Sequence, residues 1–156
     1  MRGLEQLIAE SPLFAGLSEA HLNLIAGCGR NQHADAGVRL LREGEPAETF
    51  YLIRRGTVAL ELAAPGRSPL VIQTLHEHEV VGWSWLFAPY RWQMDARAIT
   101  ECGLVVFDGA CLRGKCEADH ELGYELMRRF AASVVDRLQA TRLQLLDVYG
   151  HAPATA

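Results

Sequence analysis

The sequence predicts an α+β fold: N-terminal helices, a β-roll or jelly-roll (a double-stranded β-helix), and a long C-terminal dimerisation helix. Three observations predict it. Between about residues 30 and 107, Gly and Pro recur roughly every 8–12 residues around short β-branched and aromatic runs, which is the pattern of a sandwich or barrel. Ahead of that region lie two short segments with helical spacing. Behind it, from Glu117 to Val148, Gly123 is the single Gly and Pro is missing.

The elements follow in order. Leu4, Leu7 and Ile8 have helical spacing, and Ser11-Pro12 stops that segment. Ser18 is suited to cap a second helix, with His21 in place of the usual acid three positions on. Leu22, Leu24 and Ile25 give that helix its apolar face, and Gly27 and Gly29 end it. Strands are expected at 50–53, 58–62, 70–75, 91–99 and 104–107. In the second of these, Val58, Leu60 and Leu62 alternate with Ala59 and Glu61, which predicts one face in and one face out. The last helix is expected over about 117–148. Leu122, Leu126, Phe130, Val134, Leu138, Leu145 and Val148 form one apolar stripe, and Met127, Ala131 and Val135 a second beside it. Roughly 30 residues make about 45 Å of helix, longer than a small β domain covers. Two stripes call for two partners: the chain's own β domain and the same helix of a second copy, giving a homodimer.

Composition narrows the function. The chain has 156 residues, 49% hydrophobic and 22% charged, which is ordinary for a globular domain. No apolar run approaches the roughly 18 residues of a membrane span, and the first residues lack a signal peptide's apolar stretch. A cytoplasmic protein with reduced thiols and no membrane contact is expected. The net charge is −4, Lys115 is the only lysine, and no basic stripe is present, so direct DNA binding is not expected. No nucleophile motif, nucleotide-triphosphate loop or framed carboxylate pair occurs, so an enzyme is not expected.

One stretch is specific. Gly44-Glu45-Pro46-Ala47-Glu48-Thr49-Phe50-Tyr51-Leu52-Ile53-Arg54-Arg55-Gly56-Thr57-Val58 resembles the strand–turn–strand signature of cyclic-nucleotide-binding domains. Ser11-Pro12-Leu13-Phe14-Ala15-Gly16-Leu17-Ser18 resembles the N-terminal segment of that family. Val81-Gly82 and Asp95-Ala96-Arg97-Ala98 flank a segment similar to its phosphate-binding cassette. Arg137-Leu138-Gln139-Ala140-Thr141 resembles the central helix of the Crp/Fnr group. The resemblance implies that residues 1–150 form a cyclic-nucleotide-binding-like sensor domain with a short cassette helix, and that 151–156 are a polar tail. It also implies a hinge at Leu146-Asp147-Val148-Tyr149-Gly150, where the group usually continues into a DNA-binding domain. The expected protein is a stand-alone sensor.

The cassette departs from the family's pattern. Cyclic-AMP binders of the family place an acid after the cassette glycine and an arginine plus a small polar residue on the cyclic phosphate, where a guanidinium bonds in bidentate fashion. Here Trp83 stands at the acid's position, Trp92 at the arginine's and Gln93 at the polar residue's. Arg91 takes over the anion contact if the strand slips by one residue, though such a slip turns the side chain to the other face. Arg97 matches a position further along, and Thr141 matches a helix position that meets the base in cyclic-AMP binders. The resemblance therefore makes Gly82, Trp83, Ser84, Arg91, Trp92, Gln93, Arg97 and Thr141 the candidate ligand-binding residues. An aromatic-lined pocket suits a small-molecule effector other than cyclic AMP. Two alternatives stay open: indoles that close the pocket, leaving a ligand-free dimerisation module with a protein partner, and a retained cyclic-nucleotide site.

Two metal readings remain. His76-Glu77-His78-Glu79 places two histidines on one face if the strand continues, as in cupin metal sites, yet the next histidine is His120. Cys111, Cys116 and His120 offer metal or redox groups, with Cys116 and His120 one helical turn apart, whereas zinc sites usually pair ligands more closely. Solvated histidines and structural thiols are expected instead, and no metal is assigned.

Overall fold

A computed structural model of the chain describes residues 3–150. The expected polar tail at 151–156 lies outside the described residues. The chain begins with helices α1 (Leu4–Ala9) and α2 (Glu19–Ala26). Ser18 caps α2 as its chemistry predicts, its Oγ accepting the His21 N–H at 3.1 Å. Eight strands follow: β1 (Gly29–Ala34), β2 (Arg39–Leu41), β3 (Thr49–Arg55), β4 (Val58–Leu62), β5 (Leu70–Leu75), β6 (Val80–Val81), β7 (Asp95–Ala98) and β8 (Cys102–Asp108). Helices α3 (Gly109–Ala118) and α4 (His120–Gly150) close the chain.

The strands form two four-stranded antiparallel sheets, ordered β1-β8-β3-β6 and β2-β7-β4-β5. This is the jelly-roll that the sequence predicts. Between β3 and β4, Gly56 turns the chain at φ +98°, and a Cβ there would lie 2.6 Å from the Glu101 carbonyl, so only glycine fits.

Three expectations are corrected. β4 is buried on both faces as far as Glu61, which is 4% exposed, while Leu62 is 36% exposed. The strand is central in its sheet, between β7 and β5, and Arg97 covers Glu61. The expected strand at 91–99 shortens to β7: Arg91 bridges to Pro46 and the Trp92 N–H donates to the Glu45 carbonyl at 3.0 Å, but the chain then bends at Gln93 and Met94 before β7 begins. The long helix starts at His120 rather than about 117. Asp119 breaks the chain with an extended backbone, and its Oδ1 accepts the N–H groups of Glu121 and Leu122, both at 3.1 Å.

The first half of α4 is anchored by a cluster of rings. Phe130 meets Phe50 edge-on at 5.8 Å and Trp85 at 5.2 Å. Phe50 stacks on Trp85 at 4.5 Å and on Phe107 at 4.7 Å. Leu122, Leu126 and Phe130 are each at most 1% exposed, and each such burial contributes about 1.5–3 kcal/mol. Beyond Phe130 the helix leaves the core. Leu138, Leu145 and Val148 are 49%, 55% and 69% exposed. The whole of α4 has 31 residues, about 47 Å of helix.

Candidate functional site

The cassette lies between β6 and β7. It opens at Gly82, whose φ is +96°, and no helix follows. A turn covers Ser84 to Leu86, tied by the Leu86 N–H to the Trp83 carbonyl at 3.0 Å. The expected cassette helix is absent because Trp85 and Leu86 are pinned in the core and Pro89 follows closely. Arg113 of α3 holds this turn by donating to the carbonyls of Trp85 and Ala47, with its guanidinium 4.5 Å from the Tyr90 ring centroid.

The three tryptophans have three different environments. Trp85 is fully buried in the ring cluster. Trp92 is 5% exposed and packs the edge of its six-membered ring against Gly82, where a Cβ would come within 2.6 Å of it. Trp83 is half-buried beneath Arg137 of α4, whose guanidinium sits 4.5 Å from the ring centroid.

Gly82, Trp83, Ser84, Trp92 and Gln93 come together as expected, joined by Leu41, Leu60, Met94 and Arg137. The cavity they enclose measures only about 20 Å³. That is room for about one water, whereas ligand pockets run to roughly 300–1,000 Å³.

The remaining candidates lie outside this cavity. Arg91 is exposed, and its Nη1 donates to the Gly44 carbonyl at 2.9 Å. Arg97 makes a bidentate pair with Glu61, at 2.9 and 3.0 Å. Those bonds hold the Glu61 carboxyl below the usual carboxylate range, and they compensate a buried charge. Thr141 is exposed on α4 beside a second cleft of about 380 Å³, with Val71 and Ile72.

Arg137 was visible in the sequence only as part of the Crp/Fnr-like helix segment. Its signal was spacing: it lies one turn before Thr141, on the helix face shared with Ser133. Burial pushes its guanidinium down to about 10, so it remains a cation at neutral pH. No carboxylate forms an ion pair with it among the described residues, although the charge of Glu79 acts on it at longer range, and its Nη1 donates to the Met94 sulfur at 3.7 Å.

The other chemistry-bearing groups disperse. β5 ends at Leu75, so His76 and His78 sit in an exposed turn rather than on a strand face, with His78 at φ +70°. Cys116 belongs to α3 and His120 to α4, so the break at Asp119 removes their common helix face. All four cysteines are free thiols, and burial pushes Cys28 up to about 12 and raises Cys116. Neither is a reactive thiolate at neutral pH. A cleft of about 590 Å³ lies away from the cassette between α1, β1 and β3.

Comparison with known proteins agrees with this architecture. The family described as "Cyclic nucleotide-binding domain" matches residues 31–119. A "CRP-like cAMP-activated global transcriptional regulator" from Mycobacterium tuberculosis is 23% identical over 145 residues, which cover 93% of this chain and 63% of that protein. The chain thus spans less than two thirds of that regulator's length. Among solved structures, a putative cyclic nucleotide-binding protein from Geobacter metallireducens superposes with a TM-score of 0.77 at 29% identity, covering 88% of this chain and 99% of that one. A cyclic nucleotide-binding domain from Methylobacillus flagellatus shares the fold at a TM-score of 0.77 and 16% identity, covering 93% and 82%.

Proposed function

The chain belongs to the cyclic nucleotide-binding domain family, and from that premise we propose a regulatory module whose nucleotide cassette is closed. It dimerises through α4 and passes a signal to a protein partner in the cytoplasm. The observation that carries this reading is the cavity of about 20 Å³ beneath Gly82, filled by Trp92 and roofed by Trp83 and Arg137. Neither arginine that the resemblance offers for a cyclic phosphate is available: Arg97 is committed to Glu61, Arg91 donates to the Gly44 carbonyl, and the one guanidinium at the cavity, that of Arg137, lies over the Trp83 ring.

Dimerisation is supported by the apolar face that the second half of α4 leaves exposed. Ala131, Val134, Leu138, Thr141, Leu145 and Val148 follow one another in steps of three and four, the spacing of a coiled-coil seam. All are exposed except Val134, which is half-buried. Thr141 takes a place in that seam. The net charge of −4 without a basic stripe favours a protein partner over DNA as the direct contact.

The test is thermal. A ligand at 100 times its dissociation constant adds about 2.7 kcal/mol, a rise of several degrees in Tm for a domain of this size. Cyclic AMP and cyclic GMP up to about 1 mM are expected to leave the Tm unchanged. A rise of several degrees with either overturns the closed cassette.

A further inference from the structure

A cleft of about 460 Å³ runs between α4 and the barrel, bounded by the N-terminal loop and the segment around β5 and β6. Its size falls within the range of small-molecule sites. Pro12, Leu13, Leu75 and Val80 make one wall apolar, and Ala132 and Ala140 of α4 face it. Three buried side-chain polar atoms among the described residues lack a hydrogen-bond partner, and two belong to residues lining this cleft: Gln73 Oε1 and Arg137 Nε. Buried polar atoms are nearly always paired in folded proteins, so each exception calls for a missing partner.

The two demands are opposite. Gln73 Oε1 needs a donor, and Arg137 Nε needs an acceptor. Arg137 is also a cation whose guanidinium meets a ring and a sulfur but no carboxylate. Glu79 and Asp136 line the same cleft and add negative charge to it. A lone water meets either demand but leaves the apolar wall uncovered and puts no anion in direct contact with the guanidinium, which feels Glu79 only at a distance. A molecule with a carboxylate, an ammonium and an apolar body answers all of them.

We propose that this cleft binds an apolar α-amino acid, its carboxylate on Arg137, its ammonium on Gln73 and the acidic groups of Glu79 and Asp136, and its side chain against the Leu13–Leu75 wall. The site stands on the cleft and does not need the cassette to be closed. The regulatory reading enters only in what binding accomplishes: one wall belongs to α4 and the other to the barrel, so the ligand favours one placement of the helix.

The test is calorimetric titration of the full chain with L-leucine, L-methionine and L-phenylalanine, up to about 10 mM. At least one is expected to bind saturably. 4-Methylpentanoate, which is leucine without its ammonium, and isoamylamine, which is leucine without its carboxylate, should then bind at least about tenfold more weakly than leucine, and Gln73→Leu and Arg137→Met should each weaken the best ligand at least about tenfold. If Arg137→Met does not fold, Gln73→Leu decides alone. Saturable binding unchanged in Gln73→Leu overturns this site and leaves the regulatory reading standing. Absence of saturable binding by all three amino acids overturns the proposal outright.

Discussion

Trp92→Ala is expected to lower stability by about 3–5 kcal/mol, the range for emptying a buried aromatic position. For a domain of this length that lowers the Tm by roughly 6–20 °C. Trp92 is 5% exposed, its ring lies against Gly82, and the space beside it is about 20 Å³. Truncation therefore leaves an apolar hole that the surroundings fill only in part. Such a hole accepts small apolar guests, so added indole should raise the Tm of the variant and not of the natural chain. Thermal unfolding followed by circular dichroism reads both effects. A loss below about 1 kcal/mol would mean that the ring is not what fills the cassette.

Leu145→Glu is expected to split the dimer while leaving the barrel folded. Leu145 is 55% exposed in the single chain and is separated from the core by four turns of helix after Phe130. In a symmetric seam it is buried in both copies. Removing two buried leucines forfeits about 3–6 kcal/mol, a weakening of the dimer of about 10²–10⁴-fold. Sedimentation equilibrium should report a dimer for the natural chain and a monomer for the variant, both with native circular dichroism. A monomeric natural chain, or a variant as dimeric as its parent, contradicts the seam.

Some of this molecule was plain in its sequence, and the divide is physical. The Ser18 cap, β4 and β5 were legible because their signals are local: an Oγ at the right offset and apolar runs between turn residues. β1 was hidden because it is largely polar, Gly-Arg-Asn-Gln-His-Ala, and is held by six residues of β8. The break at Asp119 is hidden in the sequence because its neighbours suit a helix, although Asp is itself a capping residue.

At the site, the residues around Gly82 and Trp92 were found by resemblance, and five of them do meet. Their consequence was not legible. Three tryptophans in ten residues read equally as a pocket's lining or its filling, and the choice depends on the direction in which each leaves the turn. Trp85 goes to the core, Trp92 under Gly82 and Trp83 to Arg137. Arg97 shows the same limit: an unpaired arginine in sequence is a bidentate partner of Glu61 across two strands in the fold.

The closed cassette is tested most directly at the indole groups themselves. In a ¹⁵N-labelled sample the three tryptophans report separately: Trp83 and Trp92 line the cassette cavity, and Trp85 serves as an internal reference in the core. With cyclic AMP at about 1 mM, all three indole N–H resonances are expected to stay in place. Displacement of the Trp83 and Trp92 resonances, with Trp85 unmoved, would place the nucleotide in the cassette and contradict the account.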